Sequence, residues 1–217
     1  MSLTLHPHNP APIEAGLLDR WRRIPVAVAV DLTPSHQIDP GVRALLPPGR
    51  QPALFGRALT VRCAPPDFGP VLHAVGIIRA GEVLMIDAGG VCSHAMIGDI
   101  LGGHLHRQGA AGLVCDGAVR DVAGLGAMSG LAVYARAVNP LGPTAARTGT
   151  VNGPVTIGGC KVAPGDLIIG DDDGLVALPP ALLPALIEQA EAKLRLEAEW
   201  TARLSAGEAV ADIFKLG

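Results

Sequence analysis

Between Gly69 and Gly158 the chain alternates short apolar, β-branched runs with helix-like segments, and this cycle restricts its possible folds more than any other feature. Residues 71–79, 96–108 and 121–128 read as helices; residues 82–87, 112–115 and 131–135 read as strands. Strands joined through helices return to the same end of the sheet before starting again. The pattern therefore predicts a parallel sheet with crossover helices. Aromatic residues make up only 3% of the chain and hydrophobic residues 49%, so the core must be built from Val, Ile, Leu and Ala. That composition suits strands buried on both faces.

The flanks add further layers. Residues 12–23 place Ile13, Leu17, Leu18 and Trp21 at helical spacing, and residues 24–30 read as a buried strand broken by Asp31-Leu32-Thr33-Pro34-Ser35. Residues 40–52 form an irregular connection, and strand pattern resumes at 58–62. After Gly149, residues 150–157, 160–162, 167–169 and 175–178 are short strand-like pieces separated by Gly, Pro and Asp, which predicts a β-meander whose sheet packs on the first. Residues 180–204 carry Leu183, Leu186, Ile187, Ala190, Leu194 and Trp200 among charges and read as a long closing helix. At 217 residues without a linker or repeat, the chain is read as one α/β domain over 1–217, with an N-terminal helix region at 1–23 and a C-terminal helix and tail at 180–217.

Several function classes are unfavourable on composition. Lys plus Arg is 17 against 20 for Asp plus Glu, a formal net charge of -3, so the basic field needed to bind a phosphate backbone is missing and no nucleic-acid partner is expected. No apolar run approaches the roughly 18 residues of a membrane span. The opening residues show neither a basic leader nor an apolar stretch of signal-peptide length, so a cytoplasmic protein without a membrane partner is expected. Cys63, Cys92, Cys115 and Cys160 contain no C-x-x-C pair and read as small buried apolar residues. The glycines at 124, 126 and 130 miss the G-x-G-x-x-G spacing and no phosphate loop exists, so nucleotide cofactors are not indicated. Asp171-Asp172-Asp173-Gly174 reads as a hairpin turn. His104 and His106, two apart on a helix, point in divergent directions and make a poor metal pair. Cys92 and His94 are weak evidence for a nucleophile and its base.

The informative stretch is Leu113-Val114-Cys115-Asp116-Gly117-Ala118-Val119-Arg120-Asp121, where an apolar strand runs into a turn presenting Arg and Asp side by side. Ligands of parallel sheets collect outside the carboxyl ends of the strands. Asp121 can bind a hard cation through oxygen and Arg120 can clamp a carboxylate with two parallel hydrogen bonds. The alternative on these residues is an Asp N-cap beside a surface Arg. Asp99 precedes Arg120 with 20 residues between them, at the start of a helix whose first amides, at Ile100, Leu101 and Gly102, can hold an anionic group.

Asp99, the 20-residue interval and the Arg120-Asp121 pair resemble the D-x20-R-D motif of the 4-hydroxy-4-methyl-2-oxoglutarate / 4-carboxy-4-hydroxy-2-oxoadipate aldolases, which share the RraA-like fold of the bacterial regulator of ribonuclease E activity. Residues 56–63, 80–87, 116–121, 162–167 and 171–174 also look like blocks of that superfamily. The resemblance implies a layered β/β/α fold of the swivelling-domain type. It also implies a class II pyruvate aldolase that cleaves a 4-hydroxy-2-oxo acid, with Mg²⁺ or Mn²⁺ stabilising the enolate formed when C3–C4 breaks. Asp121 is then the metal ligand and Asp99 reaches the metal through water. Arg120, with the amides near Leu101 and Gly102, binds the pyruvoyl end, and oxaloacetate decarboxylation is an implied side activity. Lys161, Lys193 and Lys215, the only lysines, do not suit imine chemistry.

Two departures and two alternatives stand beside that implication. Many relatives carry an acid three positions after the Asp of the Arg-Asp pair, where this chain has Gly124. The aldolases also bring in a glutamate from a neighbouring subunit of a trimer or hexamer, for which Glu199 is the best match and Glu197 the next. The alternatives are another metal-dependent 2-oxo acid lyase or decarboxylase, and a non-catalytic regulator that binds an RNA-processing enzyme. Regulator-type members typically have glycine where this chain has Asp99.

Overall fold

The computed structural model describes residues 2–216. Met1 and Gly217, the outer limits of the expected domain, lie outside the described residues. In chain order the elements are β1 (Leu3–Leu5), α1 (Ala15–Trp21), α2 (Val26–Leu32), β2 (Arg43–Ala44), β3 (Leu54–Arg62), α3 (Gly69–Ile77), β4 (Glu82–Asp87), β5 (Ala95–Ile97) and α4 (Asp99–Arg107). They continue with β6 (Gly112–Val119), α5 (Val122–Gly126), β7 (Ala132–Val138), β8 (Gly149–Val151), β9 (Val155–Ile157), β10 (Cys160–Val162), β11 (Leu167–Asp171), β12 (Gly174–Leu178), α6 (Leu183–Ser205) and α7 (Val210–Phe214).

The expected parallel sheet is present as β3-β4-β6-β7. Alternating side chains divide its two faces. Leu84, Ile86, Leu113 and Cys115 point to one face, where Val71 and Val75 of α3, Leu105 of α4 and Leu125 of α5 cover them. Val83, Met85, Val114 and Tyr134 point to the other, against Val155, Ile157, Ile168 and Leu175 of the late strands. The far side of the β11–β12 hairpin, with Leu167, Ile169, Val176 and Leu178, is sealed by Trp21, Val26 and Val28 and by Leu183, Ile187 and Ala190 of α6. The β/β/α layering is thus observed, with α3, α4 and α5 as an additional outer layer.

Two sequence expectations are corrected. Residues 26–30, expected within a strand over 24–30, belong to the helix α2 (Val26–Leu32). A short Val-Ala alternation is compatible with either period, and here the chain caps a helix: Pro25 is extended and the Val26 N–H donates to Asp171 Oδ2 at 3.0 Å. The late strands also do not make an independent second sheet. β3 pairs antiparallel with β11 through Leu54–Arg57 and parallel with β4 through Arg57–Arg62, so the β11–β12 hairpin is the same sheet folded back over itself. Among the described residues, only β9 and β10 pair separately. The Asp171–Gly174 turn closes the β11–β12 hairpin as expected. Cys63, Cys115 and Cys160 are buried and all four cysteines are free. Among the described residues no helix is long and apolar enough to cross a membrane.

Candidate active site at the carboxyl ends of the parallel strands

β6 runs to Val119, four residues beyond its expected end, and β5 pairs alongside its last residues. The helix expected at 96–108 therefore starts only at Asp99. The Arg120 N–H donates to Ile97 O at 3.0 Å, which fixes the strand end against the segment leading into α4. Asp121 follows with φ of 56°, a left-handed conformation that costs an L-residue about 1 kcal/mol or more. It occupies the N-cap position of α5, yet its side chain makes no capping bond. The carboxylate turns towards α4 instead, with Oδ2 3.4 Å from the Asp99 N–H and 3.3 Å from Arg120 Nε. Both side chains are 39% exposed. The helix-cap alternative therefore does not describe this residue.

Glycines make this convergence possible. A Cβ on Gly98 would overlap Asp121 Oδ2 and stand 2.9 Å from Arg120 Cγ, and one on Gly142 would overlap Arg120 Nη1. A Cβ on Gly124 would lie 2.7 Å from Asp99 Cβ and 3.0 Å from its Oδ2. The missing acid at position 124 thus has a physical counterpart: the Asp99 carboxylate already occupies that space. Asp99 opens α4, where the helix N-terminus favours negative charge. The amides of Ile100 and Leu101 have no acceptor among the described residues. The expectation for Gly102 is corrected, because its N–H already donates to Gly98 O at 2.9 Å.

Two clefts meet at Arg120 and Asp121. One, of about 290 Å³, is walled by Phe68, Leu72, Met96, Ile97, Leu101 and Pro143. The other, of about 520 Å³, is more open and includes Asp99, Val122, Gly124, Val138 and Pro140. No group of three or more His, Cys, Asp or Glu able to hold a metal occurs among the described residues. Glu199 and Glu197 line neither cleft. Glu199 is 61% exposed and 3.8 Å from Arg203, while Glu197 is 3.9 Å from Lys193. Cys92 Sγ donates to Gly90 O and His94 Nδ1 faces Ser93 Oγ, so they do not pair with each other. His106 donates to Ser129 O, and His104 Nε2 lies 3.4 Å from Gln108.

Supporting residues had no clear sequence signal. Asn139 Nδ2 donates to Cys92 O at 2.8 Å and its Oδ1 accepts the Leu141 N–H at 2.9 Å, which steadies the loop bearing Gly142. Asp116, within β6, accepts from Arg136 Nε and from the Gly158 N–H, anchoring the β9–β10 hairpin rather than facing the clefts. An Asn-Pro pair after a strand was the only hint of the first. Asp67 holds the cavity wall. Its carboxylate accepts the Gly69, Arg147 and Thr148 N–H groups at 3.0–3.1 Å and the Thr148 hydroxyl at 3.2 Å. Burial pushes its pKa up, but these hydrogen bonds outweigh burial and hold it below the usual carboxylate value.

A depressed carboxylate stabilises the fold above its unfolded pKa, and that contribution is lost as pH falls through the folded value. Acidification below about pH 4 should therefore release the segment 143–148, together with Pro143 and the neighbouring Phe68 wall, before the core opens. Amide exchange should rise at Arg147 and Thr148 while Leu84 and Val114 stay protected. Asp67→Asn should show the same local release at neutral pH.

The fold and this acid-arginine site at the strand ends define an α/β protein of a particular family. A family sequence model described as RraA-like, Aldolase/RraA, matches residues 25–177, and the chain belongs to that family. A protein from Halalkalibacterium halodurans, named provisionally as a 4-hydroxy-4-methyl-2-oxoglutarate aldolase, is 34% identical over 140 residues. That match spans 64% of this chain and 66% of the relative, just under two thirds of its length. A protein of the same provisional name from Albidiferax ferrireducens is 37% identical over 167 residues, covering 70% of this chain and 95% of the relative. The solved structure of the RNA-processing inhibitor RraA from Thermus thermophilis superposes with a TM-score of 0.63 at 30% identity, covering 70% of this chain and 91% of that one.

Proposed function

We propose that this chain is a divalent-metal-dependent carbon-carbon lyase that cleaves a 4-hydroxy-2-oxo acid to pyruvate and a second carbonyl compound, with oxaloacetate decarboxylation as a side activity. The observation that carries the reading is the convergence of Asp121, Asp99, Arg120 and the Ile100 and Leu101 amides at one strand-to-helix junction. The names of the curated relatives support it.

The donor set suits a hydrated Mg²⁺ or Mn²⁺ ion, which takes one or two carboxylates and keeps several waters. The glycine cradle at Gly98 and Gly124 supports this, since a Cβ at either position would occupy the space of a carboxylate. Asp121 would hold the ion directly and Asp99 through water. A bound divalent ion supplies Lewis-acid polarisation of the 2-oxo group and offsets the negative charge that develops there as C3–C4 breaks. Arg120 clamps the substrate's C1 carboxylate, and the Ile100 and Leu101 amides add donors for the same end.

We further propose a homotrimer, or a hexamer of two trimers, in which Glu199 of a neighbouring copy completes the site. Exposed apolar residues around the clefts, Ile100 at 77%, Val138 at 56% and Leu141 at 55%, support an interface there.

The reading is tested by pyruvate release from oxaloacetate and from 4-hydroxy-4-methyl-2-oxoglutarate with Mg²⁺, with Mn²⁺ and with EDTA. Metal-dependent pyruvate from either is expected. Pyruvate from neither would move the chain to the regulator reading, which the Thermus thermophilis structure represents. Arg120→Lys should raise KM by about tenfold or more with a smaller effect on kcat, because an ammonium cannot reproduce the planar fork.

A further inference from the structure

We propose a second ligand site at the opposite end of the sheet, a cavity that takes a small organic dianion through Arg22 and Arg57. It does not depend on the lyase reading. The cavity, of about 440 Å³, lies where Gly81, Ala111 and Gly130 lead into β4, β6 and β7. These are the amino ends of the parallel strands, and the eight residues of β6 set them roughly 23 Å from the clefts at Arg120 and Asp121. Leu18, Phe55 and Leu167 give the cavity an apolar side. Its ionisable side chains are all basic among the described residues: Arg22, Arg57 and His106.

One strand brings the two guanidinium groups together. Phe55 and Arg57 are two apart on β3, so their side chains leave the same face about 6.7 Å from each other. The Arg22 guanidinium lies 4.3 Å from the centre of the Phe55 ring, which sets it beside Arg57. Arg57 is half-buried, with Nε donating to Gly165 O and Nη2 to Ala11 O at 3.0 Å. Neutral carbonyls fix this cation without neutralising it. Burial lowers its pKa against the pull of Asp166 and Glu82. Those two acids are turned elsewhere, Glu82 to His8 and the Arg79 N–H, and Asp166 to the Ala163 N–H. Removing a cation from water without a counter-ion is costly, and a bound anion offsets that cost. At the rim the Gly130 N–H, which has no acceptor among the described residues, adds a donor. Two planar forks beside an apolar wall suit two carboxylates, or one phosphate monoester, on a short hydrocarbon body.

The test is calorimetric titration of the full-length protein with glutarate, phenyl phosphate and pentanoate, with EDTA present so that no metal ion bridges the acids of the other clefts. A dianion should bind about tenfold or more tighter than pentanoate. Arg120→Ala, which strips the other clefts of their cation, should still bind one dianion per chain. Arg22→Gln and Arg57→Gln should each weaken that binding by about tenfold or more. The Arg22 guanidinium makes no hydrogen bond among the described residues, so Arg22→Gln separates loss of the ligand from loss of the fold. Tighter glutarate binding assigns a dicarboxylate and tighter phenyl phosphate binding a phosphate monoester; either supports the site. Affinity no better than that of pentanoate, loss of binding in Arg120→Ala, or undiminished binding in Arg22→Gln overturns it. If the wild type binds no dianion and Arg22→Gln sediments as a smaller assembly, the arginines hold a carboxylate of a neighbouring copy and the proposal falls.

Discussion

Asp121→Asn should abolish metal-dependent pyruvate formation, lowering kcat/KM by about 10³-fold or more. The substitution changes little else. Asn has the same shape and tolerates the left-handed conformation that φ of 56° imposes, so the melting temperature should stay within about 2 °C of the wild type. Asp121→Ala should lose the same activity and also some stability, since a Cβ-bearing residue without a local polar partner pays the left-handed cost of about 1 kcal/mol in full. Comparing the two separates the carboxylate's chemistry from the strained backbone that presents it. Calorimetric titration with Mn²⁺ should show binding in the wild type and none in Asp121→Asn. An Asp121→Asn protein with wild-type turnover would remove this residue from the reaction.

Gly98→Ala should be nearly as damaging, for a different reason. The backbone at Gly98 is extended, with φ of −139° and ψ of −163°, which any residue can adopt. Only the neighbours demand glycine: an added methyl would overlap Asp121 Oδ2 and crowd Arg120 Cγ and Nε at 2.9 and 3.2 Å. Both side chains must shift, and a displacement of about 1 Å at reacting groups costs about 10²-fold in rate. The overpacking should cost about 1–3 kcal/mol of stability, which leaves the protein folded. Gly76→Ala is the control. Position 76 lies within α3 and a Cβ there meets nothing within 4 Å. That variant should keep full activity and gain about 0.5–1 kcal/mol of stability. Steady-state kinetics and thermal unfolding of the two variants decide the matter, and unaltered kinetics in Gly98→Ala would mean that Asp121 does not need its present position.

Much of the frame was legible because its period was. Residues 82–87 hold a short apolar run between Glu and Asp, and residues 183–194 place apolar side chains every three or four positions, so a buried strand and an amphipathic helix were legible before any packing was known. The Arg120-Asp121 turn was legible because a short apolar run ends there in two charges. Residues 24–30 were misread because Val and Ala in alternation satisfy both periods; the Asp171 carboxylate, 145 positions away in sequence, supplies the cap that selects a helix. Ile100, Leu101 and Gly102 looked equivalent as amide donors, and only the Gly98 carbonyl distinguishes the third.

The sequence by itself therefore determined the parallel strand-helix order, the apolar core and the identity of the charged pair, since periodicity and residue chemistry are local properties. Tertiary structure decided which way Asp121 faces, why positions 98, 124 and 142 carry glycine, and how β3 joins two layers into one folded sheet. These outcomes depend on which atoms meet across distant segments: the space beside Gly98 is limited by a carboxylate 23 positions later, and that beside Gly124 by one 25 positions earlier. Steric exclusion of this kind leaves no periodic trace in a single chain.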